Sequence, residues 1–239
     1  MEGLLRGRFG RPYFYLARTD TTQRMLDPAQ PEGAVAVTEE QVAGRGRLGR
    51  TWEAPTGTSI LCSTLLRPPP GRTPAELSLV AGVAVALAVE RAAGVGAEVK
   101  WPNDVLLGGH KVAGVLAEAR DGAVVLGIGI NVNQEPGSLP GGTKTPAGSL
   151  RSVTGHTHDR APLLADLLLE LERRYDAWRG SGLAAVHDEL SARDFLRGRR
   201  VLADGAEGIA RGITADGRLE VETAAGLLRV ESGEILLAP

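Results

Sequence analysis

Cysteine and aromatic residues are scarce in this chain, and each shortage excludes a class of site. Cys62 is the single cysteine among 239 residues, so neither an intrachain disulfide nor a zinc site with several thiolate ligands can form. Aromatic residues make up 4% of the chain, too few for a row of rings that stacks on single-stranded nucleic acid. This cysteine usage is typical of a cytoplasmic protein.

Long apolar runs and an excess of one charge are missing as well. The apolar patch near the amino terminus, residues 13–17, is too short for a signal sequence or a membrane span. Lysine and arginine total 27 against 29 acidic residues, which leaves a formal net charge of −2 and no general attraction to nucleic acid. We therefore expect a cytoplasmic protein with neither a membrane nor a nucleic acid as partner.

Apolar periodicity predicts an α+β fold. Thr73 is placed to cap a buried helix, with Pro74 at its first position and Glu76 three residues after the cap, and this helix runs to residue 93. An amphipathic helix is predicted at 162–179 and a shorter one at 183–193. Short apolar or alternating runs predict β-strands at 34–38, 58–67, 98–101, 105–107, 112–119 and 124–132.

The pattern changes after residue 192. Four short apolar runs, separated by Asp-Gly and Ala-Gly turns at about ten-residue spacing, predict a small β-barrel-like module at 193–239 behind a larger domain at 1–192. Segment 134–147 carries three prolines and three glycines, and it predicts an irregular loop near the functional site.

Segment 44–50, with the sequence GRGRLGR, joins two predicted strands and is suited to binding anions. Its glycines allow the backbone to approach a ligand, and each guanidinium can bind phosphate or carboxylate through two hydrogen bonds. Taken alone, the segment fits an enzyme loop that handles phosphate, a basic nucleic-acid contact or a solvated turn. We expect it to be mobile in the free protein and ordered over a ligand.

Three further segments accompany this loop, namely 100–104 (KWPND), 111–116 (KVAGVL) and 127–133 (GIGINVN). Together with the loop, and in this order, they resemble the biotin protein ligases over roughly residues 18–133. The terminal β-module resembles the small SH3-like β-barrel of that family. The resemblance implies a class II synthetase-like catalytic domain, which is a mixed β-sheet flanked by helices.

The resemblance also implies an activity. Such ligases activate biotin with ATP to biotinyl-5'-AMP and transfer the biotin to a lysine of a biotin carboxyl carrier protein domain, as in acetyl-CoA carboxylase. The biotin carboxylate itself attacks the α-phosphate, so the main catalytic devices are cationic groups that bring two anions together. Mg²⁺ accompanies ATP, held by phosphates and water rather than by a protein metal site. A homodimer is compatible with the resemblance.

Site residues follow by resemblance, position by position. The catalytic cations are Arg45, Arg47 and Lys111, of which Lys111 bridges carboxylate and phosphate. Biotin, whose ureido ring needs neutral hydrogen-bonding partners, is bound by Thr21, Thr22, Gln23, Gln41, Arg45, Gly46, Arg47, Lys111, Gly114 and Gly129. ATP is bound by Arg45, Arg47, Trp52, Asn103, Lys111 and Asn131.

Several of these residues have a second interpretation. Thr21 and Gln23 stand where the family commonly has serine and asparagine, and they could instead cap a helix that starts near Gln23. Lys111 could be an ordinary exposed hairpin lysine. Trp52, which by resemblance packs on adenine, could be a buried core side chain.

Three other side chains receive lesser roles. Lys100 is a supporting charge, and Arg50, past the last glycine of the loop, solvates its rim. Cys62 lies in the middle of a predicted strand and is expected to be a small buried hydrophobe, not the nucleophile that the related octanoyl transferases use. The histidines are expected on the surface.

Two other functions remain open. A lipoate-type ligase shares the adenylation chemistry, but that family's arginine-arginine, serine and triple-glycine loop is missing here. A nucleic-acid-binding module would use the arginines and the terminal β-module. About 20 residues precede Thr21, too few for a helix-turn-helix, so we expect a short ligase that binds no operator.

Overall fold

A mixed β-sheet forms the body of the larger module in the computed structural model, which describes residues 1–238. Its seven strands are β1 (Tyr13–Thr19), β2 (Val35–Gln41), β3 (Ser59–Leu66), β4 (Ala97–Lys100), β5 (Asp104–Leu107), β6 (His110–Arg120) and β7 (Ala123–Asn131). In space the order is β1-β2-β3-β7-β6-β5-β4, where β1 runs parallel to β2 and the other neighbours are antiparallel.

The edge strand β1 is the one strand of this sheet that the sequence pattern did not predict. Tyr15 and Leu16 at its centre are 51% and 50% exposed, so neither face of the strand is buried. An edge strand without a buried face lacks the alternation on which sequence prediction depends. The sheet therefore extends one strand beyond its apolar core.

Helices cover one face of the sheet. They are α1 (Glu76–Ala93), α2 (Leu150–Thr154), α3 (Arg160–Ser181) and α4 (His187–Ser191). α1 packs on β4, β5, β6 and α3. Gly82 allows the helix to approach the sheet closely, since a Cβ at this position would lie 3.2 Å from Val99 Cγ1. Across residues 1–238, no helix has both the length and the apolar character needed to cross a bilayer.

The start of α1 differs from the predicted cap. Ala75 occupies the N-cap position and makes no side-chain capping bond. Thr73 contributes its carbonyl, which accepts from Glu76 N at 3.0 Å, and Pro74 O accepts from Leu77 N at 3.1 Å. The first turn is thus closed by backbone bonds between residues three apart, which replace the hydroxyl cap that the sequence predicted.

The amphipathic helix and its buried stripe are confirmed at α3, which Asp159 caps through a 3.0 Å bond from Ala161 N. The shorter helix predicted at 183–193 is a 3₁₀ turn at Gly182–Val186 followed by α4. Such a change of helix type within a few residues leaves little trace in apolar periodicity.

The other face of the sheet is where the segment after β1 lies. A 3₁₀ turn at Thr22–Arg24 contacts β2, β3 and β7, and below it a small apolar cluster forms around Leu26, Leu65 and Val125. All eight residues of β3 are buried because this strand is covered on both faces. Polar residues of the 3₁₀ turn are thereby placed over the centre of the sheet.

The carboxy-terminal module is an antiparallel sheet, and its core joins the main hydrophobic cluster. Its described strands are β8 (Arg200–Ala203), β9 (Ala206–Ile213), β10 (Leu219–Thr223), β11 (Gly226–Val230) and β12 (Leu236–Leu237), in the order β11-β10-β9-β8-β12. Ahead of it, segment 193–195 pairs with β4 through Val99 N to Arg193 O (2.8 Å) and Phe195 N to Val99 O (3.0 Å). The boundary between 192 and 193 stays a prediction.

Trp101 joins the two modules through a single hydrogen bond, since its Nε1 donates to Gly217 O at 2.9 Å. Trp101→Phe keeps most of the ring buried and removes the donor, so we expect the free energy of unfolding to fall by about 0.5–1.5 kcal/mol in urea denaturation. Trp178→Phe is the control, because Trp178 Nε1 donates to Glu76 Oε2 (2.6 Å) within the larger module. Only Trp101→Phe should speed proteolysis of segment 193–199, and equal rates in both variants would contradict this role.

Candidate active site

A trough of glycines crosses the face of the sheet that the helices leave open. Gly114 on β6 stands directly opposite Gly129 on β7, and Gly127 stands opposite Leu116. A Cβ on Gly114 would lie 2.9 Å from Trp52 Cζ3, and one on Gly129 would lie 2.5 Å from Trp52 Cε2. Paired glycines on adjacent strands therefore make room for a ring against the backbone, and here the Trp52 indole occupies that room.

Neutral polar side chains surround one end of this glycine trough. Thr22 N donates to Gln41 Oε1 at 2.8 Å, and the Thr22 and Ser63 hydroxyls are 2.8 Å apart. Gln23 Nε2 donates to Leu116 O at 3.1 Å, whereas Gln23 Oε1 is buried without a partner among residues 1–238. An unpaired buried carbonyl costs about 1–3 kcal/mol, so this oxygen is suited to accept from an N–H of a ligand.

Thr21 performs the capping role that was its second interpretation. Its hydroxyl accepts from Gln23 N at 3.4 Å and caps the 3₁₀ turn, while the side chain is 2% exposed and lines the cavity. Capping and ligand contact are compatible here, because the hydroxyl has a second lone pair and a proton of its own.

The glycine-arginine loop folds as a closed turn above the trough. Trp52 N donates to Gly44 O (3.0 Å) and Gly46 N to Arg50 O (2.7 Å), and Leu48 adopts a left-handed backbone at φ 57° with its side chain 70% exposed. Gly44 is needed for close approach, since a Cβ there would lie 2.2 Å from Trp52 O. The loop is thus anchored at its two ends, while its tip lacks apolar contacts.

Each predicted catalytic cation faces an acceptor from a strand of the sheet or from the turn between β4 and β5. Arg45 pairs with Glu118 at 2.9 Å, and Lys111 Nζ lies 2.7 Å from Asp104 Oδ1. Arg47 Nη1 reaches Asn103 Oδ1 at 3.4 Å, and burial lowers the pKa of this guanidinium while Asp104 opposes the shift. An incoming anion must compete with these carboxylates for the cations.

The carboxy-terminal module supplies an outer wall of the cavity. Its Glu234 accepts from Arg50 Nη2 at 2.6 Å and from Lys144 Nζ at 2.8 Å, and these two cations hold its pKa below the usual value. The expectation that Arg50 only solvates the rim is therefore wrong. Nothing in the sequence pattern singled out Glu234 or Lys144, because each pairing joins segments far apart in the chain.

The side chains of Asn131 and Asn103 form hydrogen bonds with other residues of the protein. Asn131 Nδ2 donates to Gly148 O (2.9 Å) and Oδ1 accepts from Gln134 Nε2 (2.8 Å), so this side chain anchors the start and end of loop 134–148. Asn103 Nδ2 donates to Val115 O at 2.9 Å and leaves its Oδ1 toward Arg47. Positioning the cavity wall is the role that their hydrogen bonds support, and contact with ATP stays a prediction.

The cavity encloses about 420 Å³ and brings together every predicted site residue. Its lining includes Thr21, Thr22, Gln23, Gln41, Arg45, Gly46, Arg47, Trp52, Asn103, Lys111, Gly114, Gly129 and Asn131. Among the described residues, six lysines and arginines line it against three carboxylates. This balance is opposite in sign to that of the whole chain, and it favours an anionic ligand.

The side chains give little support to catalysis by a thiolate nucleophile or to a metal ion held by a cluster of protein ligands. Cys62 lines the cavity but is buried, and burial raises the pKa of its thiol to about 12, so a thiolate nucleophile is disfavoured. Within the part of the chain that the structure describes, no three His, Cys, Asp or Glu side chains are grouped to hold a metal ion.

Known proteins share both the sequence pattern and the fold. Residues 15–135 match the Biotin/lipoate A/B protein ligase family, and residues 198–237 match the Biotin protein ligase C terminal domain. The chain belongs to the biotin protein ligases of this family. It is an enzyme of the ligase class, as the sequence predicted.

Relatives match almost the whole chain. Biotin--[acetyl-CoA-carboxylase] ligases of Mycobacterium tuberculosis and Paracoccus denitrificans are each 37% identical, covering 91% and 92% of this chain and 84% and 98% of theirs. The solved biotin protein ligase from Aquifex aeolicus in complex with biotin and ATP has a TM-score of 0.84 at 30% identity, over 94% of this chain and 97% of that one. The predicted fold class, a mixed sheet with flanking helices and a small terminal β-module, is confirmed.

Glu234→Gln should loosen the outer wall, because a neutral amide cannot hold two cations as a carboxylate does. We expect trypsin to cleave ligand-free protein after Arg45, Arg47 and Arg50 several-fold faster, as followed by mass spectrometry. Glu231→Gln is the matched control, since Glu231 pairs with Arg218 at 2.7 Å within the carboxy-terminal module. If the two variants were cut at the same rate, Glu234 would have no part in holding the loop.

Proposed function

We propose that this ligase activates biotin with ATP to biotinyl-5'-AMP and then transfers biotin to a specific lysine of a biotin carboxyl carrier protein domain. The observation that carries the proposal is the arrangement of one cavity, in which the Gln23 carbonyl, without a partner among the described residues, stands at one end of the glycine trough and the Lys111 ammonium stands at the other. Biotin has a ureido N–H at one end and a carboxylate at the other. The names of the relatives, and the biotin and ATP bound in the Aquifex structure, support the same substrates.

In the first step, a biotin carboxylate oxygen attacks the α-phosphorus, and the bond from that phosphorus to the bridging oxygen breaks to release pyrophosphate. Arg45, Arg47 and Lys111 would neutralise the two anions as they meet. Glu118, Asn103 and Asp104 hold Arg45, Arg47 and Lys111 respectively until ligand oxygens replace these partners. Fixed cations of this kind need little rearrangement during the reaction.

In the second step, the neutral amine of the carrier lysine attacks the acyl carbon of the mixed anhydride. An amide forms, AMP leaves with the electron pair of the broken C–O bond, and the amine proton passes to solvent. Neither step needs a protein nucleophile, which agrees with the raised pKa of Cys62. We also propose that the ligase acts in the cytoplasm, which is the location expected from its cysteine usage.

Mg²⁺ belongs to the proposal as the companion of ATP, where it offsets phosphate charge. The donor set of the cavity fits an ion held mostly by phosphate and water, because Asp104 is the carboxylate beside Lys111 and stands without a cluster of further acidic side chains among the described residues. Asn103 Oδ1 is a second oxygen on the same wall.

Removing a cation from the reaction centre tests the first step. Lys111→Met and Arg45→Ala should each lower the rate of biotin-dependent pyrophosphate release by on the order of 10²–10³, because charge that develops on the phosphate loses a fixed partner. Arg211→Ala, which removes an exposed arginine paired with Glu222 in the carboxy-terminal module, should leave the rate unchanged.

The carrier step is measured with labelled biotin, ATP, Mg²⁺ and an apo carrier domain. The wild-type enzyme should label the domain, and unlabelled lipoate in excess should not compete. Absence of both label and pyrophosphate would overturn the proposal, while competition by lipoate would favour the lipoate-type alternative.

Trp52 should report on binding, because its indole lies in the trough that the ring system of biotin would enter. The ring would have to leave Gly114 and Gly129, where it could then pack on the adenine of ATP as the family resemblance implies. We expect biotin to change tryptophan emission in the wild type and not in Trp52→Phe, since Trp101 and Trp178 are 2% and 0% exposed and their indole N–H groups are held by Gly217 O and Glu76 Oε2. An unchanged wild-type emission at saturating biotin would contradict displacement of the indole.

A further inference from the structure

Arg120, the last residue of β6, contacts the backbone of the segment that carries Gln23. Its Nη1 donates to Gln23 O and to Leu26 O, each at 3.3 Å, and the side chain is partly buried. One guanidinium thus spans both ends of segment 23–26. A charged donor makes a stronger hydrogen bond to a carbonyl than a neutral one does, so this contact can hold the segment in place.

The two oxygens that Arg120 contacts lie where the 3₁₀ turn at Thr22–Arg24 ends. Within the turn, Met25 N donates to Thr22 O at 3.2 Å. The last carbonyls of a helical turn have no donor inside the turn, and an arginine side chain is one of the groups that can satisfy them. Arg120 therefore closes the carboxyl end of this turn from a strand of the sheet.

Arg120 lies on the same face of the sheet as the glycine trough. It stands opposite Ala123 on β7, just as Gly114 stands opposite Gly129, and the two positions on β6 are an even number of residues apart. Ala123 also belongs to the small apolar cluster around Leu26 below the turn. The guanidinium consequently fastens the turn to the face on which biotin would lie.

Gln23 is held between two anchors. On one side of it, Thr22 N donates to Gln41 Oε1 at 2.8 Å, and on the other side Arg120 holds Gln23 O. The Gln23 amide donates through Nε2 to Leu116 O at 3.1 Å and leaves Oε1 without a partner among residues 1–238. A glutamine side chain has several rotatable bonds, so the direction of Oε1 depends on a fixed backbone.

We propose that Arg120 is a positioning residue for the biotin subsite, because it holds the Gln23 backbone where Oε1 can accept from a ureido N–H of biotin. This inference rests on the proposed function and extends it to a residue outside the motif segments. The described lining of the cavity does not include Arg120, so it acts through Gln23 and not by contact with the ligand. It transfers no proton and keeps its charge throughout.

The first test varies one substrate at a time in the pyrophosphate-release assay. We expect Arg120→Ala to raise the KM for biotin about tenfold, which corresponds to about 1.4 kcal/mol of binding, while kcat and the KM for ATP change less than about twofold. Equilibrium dialysis with labelled biotin and no ATP should show weaker binding by the same factor. Arg120→Lys should restore part of the affinity, because an ammonium can still donate to a carbonyl oxygen.

Arg24→Ala is the matched control, since it removes an arginine from the same turn. The Arg24 side chain is 68% exposed, and its Nη1 lies 3.7 Å from Asp20 Oδ2. An exposed pair of this kind contributes little to stability. The KM for biotin should therefore stay at the wild-type value in this variant.

A double-mutant cycle with Gln23→Met distinguishes positioning from general support of the fold. Methionine keeps the length of the Gln23 side chain and removes its carbonyl. If Arg120 acts through this carbonyl, adding Arg120→Ala to Gln23→Met should weaken biotin binding by less than about twofold, because the contact that it positions is already gone. A full additional tenfold loss would show that Arg120 acts independently of Gln23, and the inference would be wrong.

The outcomes assign failure to one proposal or the other. A wild-type enzyme that neither binds biotin nor releases pyrophosphate contradicts the proposed function itself. If the wild type does both and Arg120→Ala leaves the KM for biotin unchanged, or lowers kcat and raises both KM values together, the positioning role is refuted. If Arg120→Ala does not fold, Arg120→Lys and Arg120→Gln take its place, and failure of all three to fold would show a purely structural role.

Discussion

The alignment of Gly114 with Gly129 is the constraint on which the site depends. A slip of one residue between β6 and β7 would bring side chains such as Val115 or Ile128 to the open face and fill the trough. The turn at Asp121 and Gly122, with φ of 47° and 77°, joins these strands by two residues in left-handed conformations and so fixes their register. A turn about 15 Å or more from the trough thereby decides whether a ring can lie against the sheet.

Cationic side chains outnumber carboxylates around the cavity although the whole chain is slightly acidic. The carboxylates that hold its cations come from separate elements: Glu118 from β6, Asp104 from β5 and Glu234 from the carboxy-terminal module. Partly exposed ion pairs contribute little to stability, so exchange of a carboxylate for a ligand oxygen costs little. The pairs keep long cationic side chains extended over the cavity, which reduces the conformational entropy lost on binding.

Short contiguous motifs predicted most of the site, because each lies on one strand or one turn. Segments 44–50, 100–104, 111–116 and 127–133 are local in sequence, and the sheet brings them together by pairing neighbours. Sequence reasoning missed what depends on distant partners. The contact of Arg50 with Glu234 spans 184 positions. The amide of Asn131 forms hydrogen bonds with Gln134 and Gly148, and a motif match cannot reveal either contact. Edge strand β1 was missed because it has no buried face.

Strand β4 connects the carboxy-terminal module with the cavity. Val99 receives segment 193–195 as an additional strand, which covers an edge that would otherwise expose unpaired backbone groups. The next two residues, Lys100 and Trp101, contact the cavity loop and the terminal module respectively. Because side chains alternate along a strand, this short segment can be fixed by the module on one side while it directs a cation into the cavity on the other. The terminal module therefore contacts the wall of the cavity in two ways, through the backbone of β4 and through the carboxylate of Glu234.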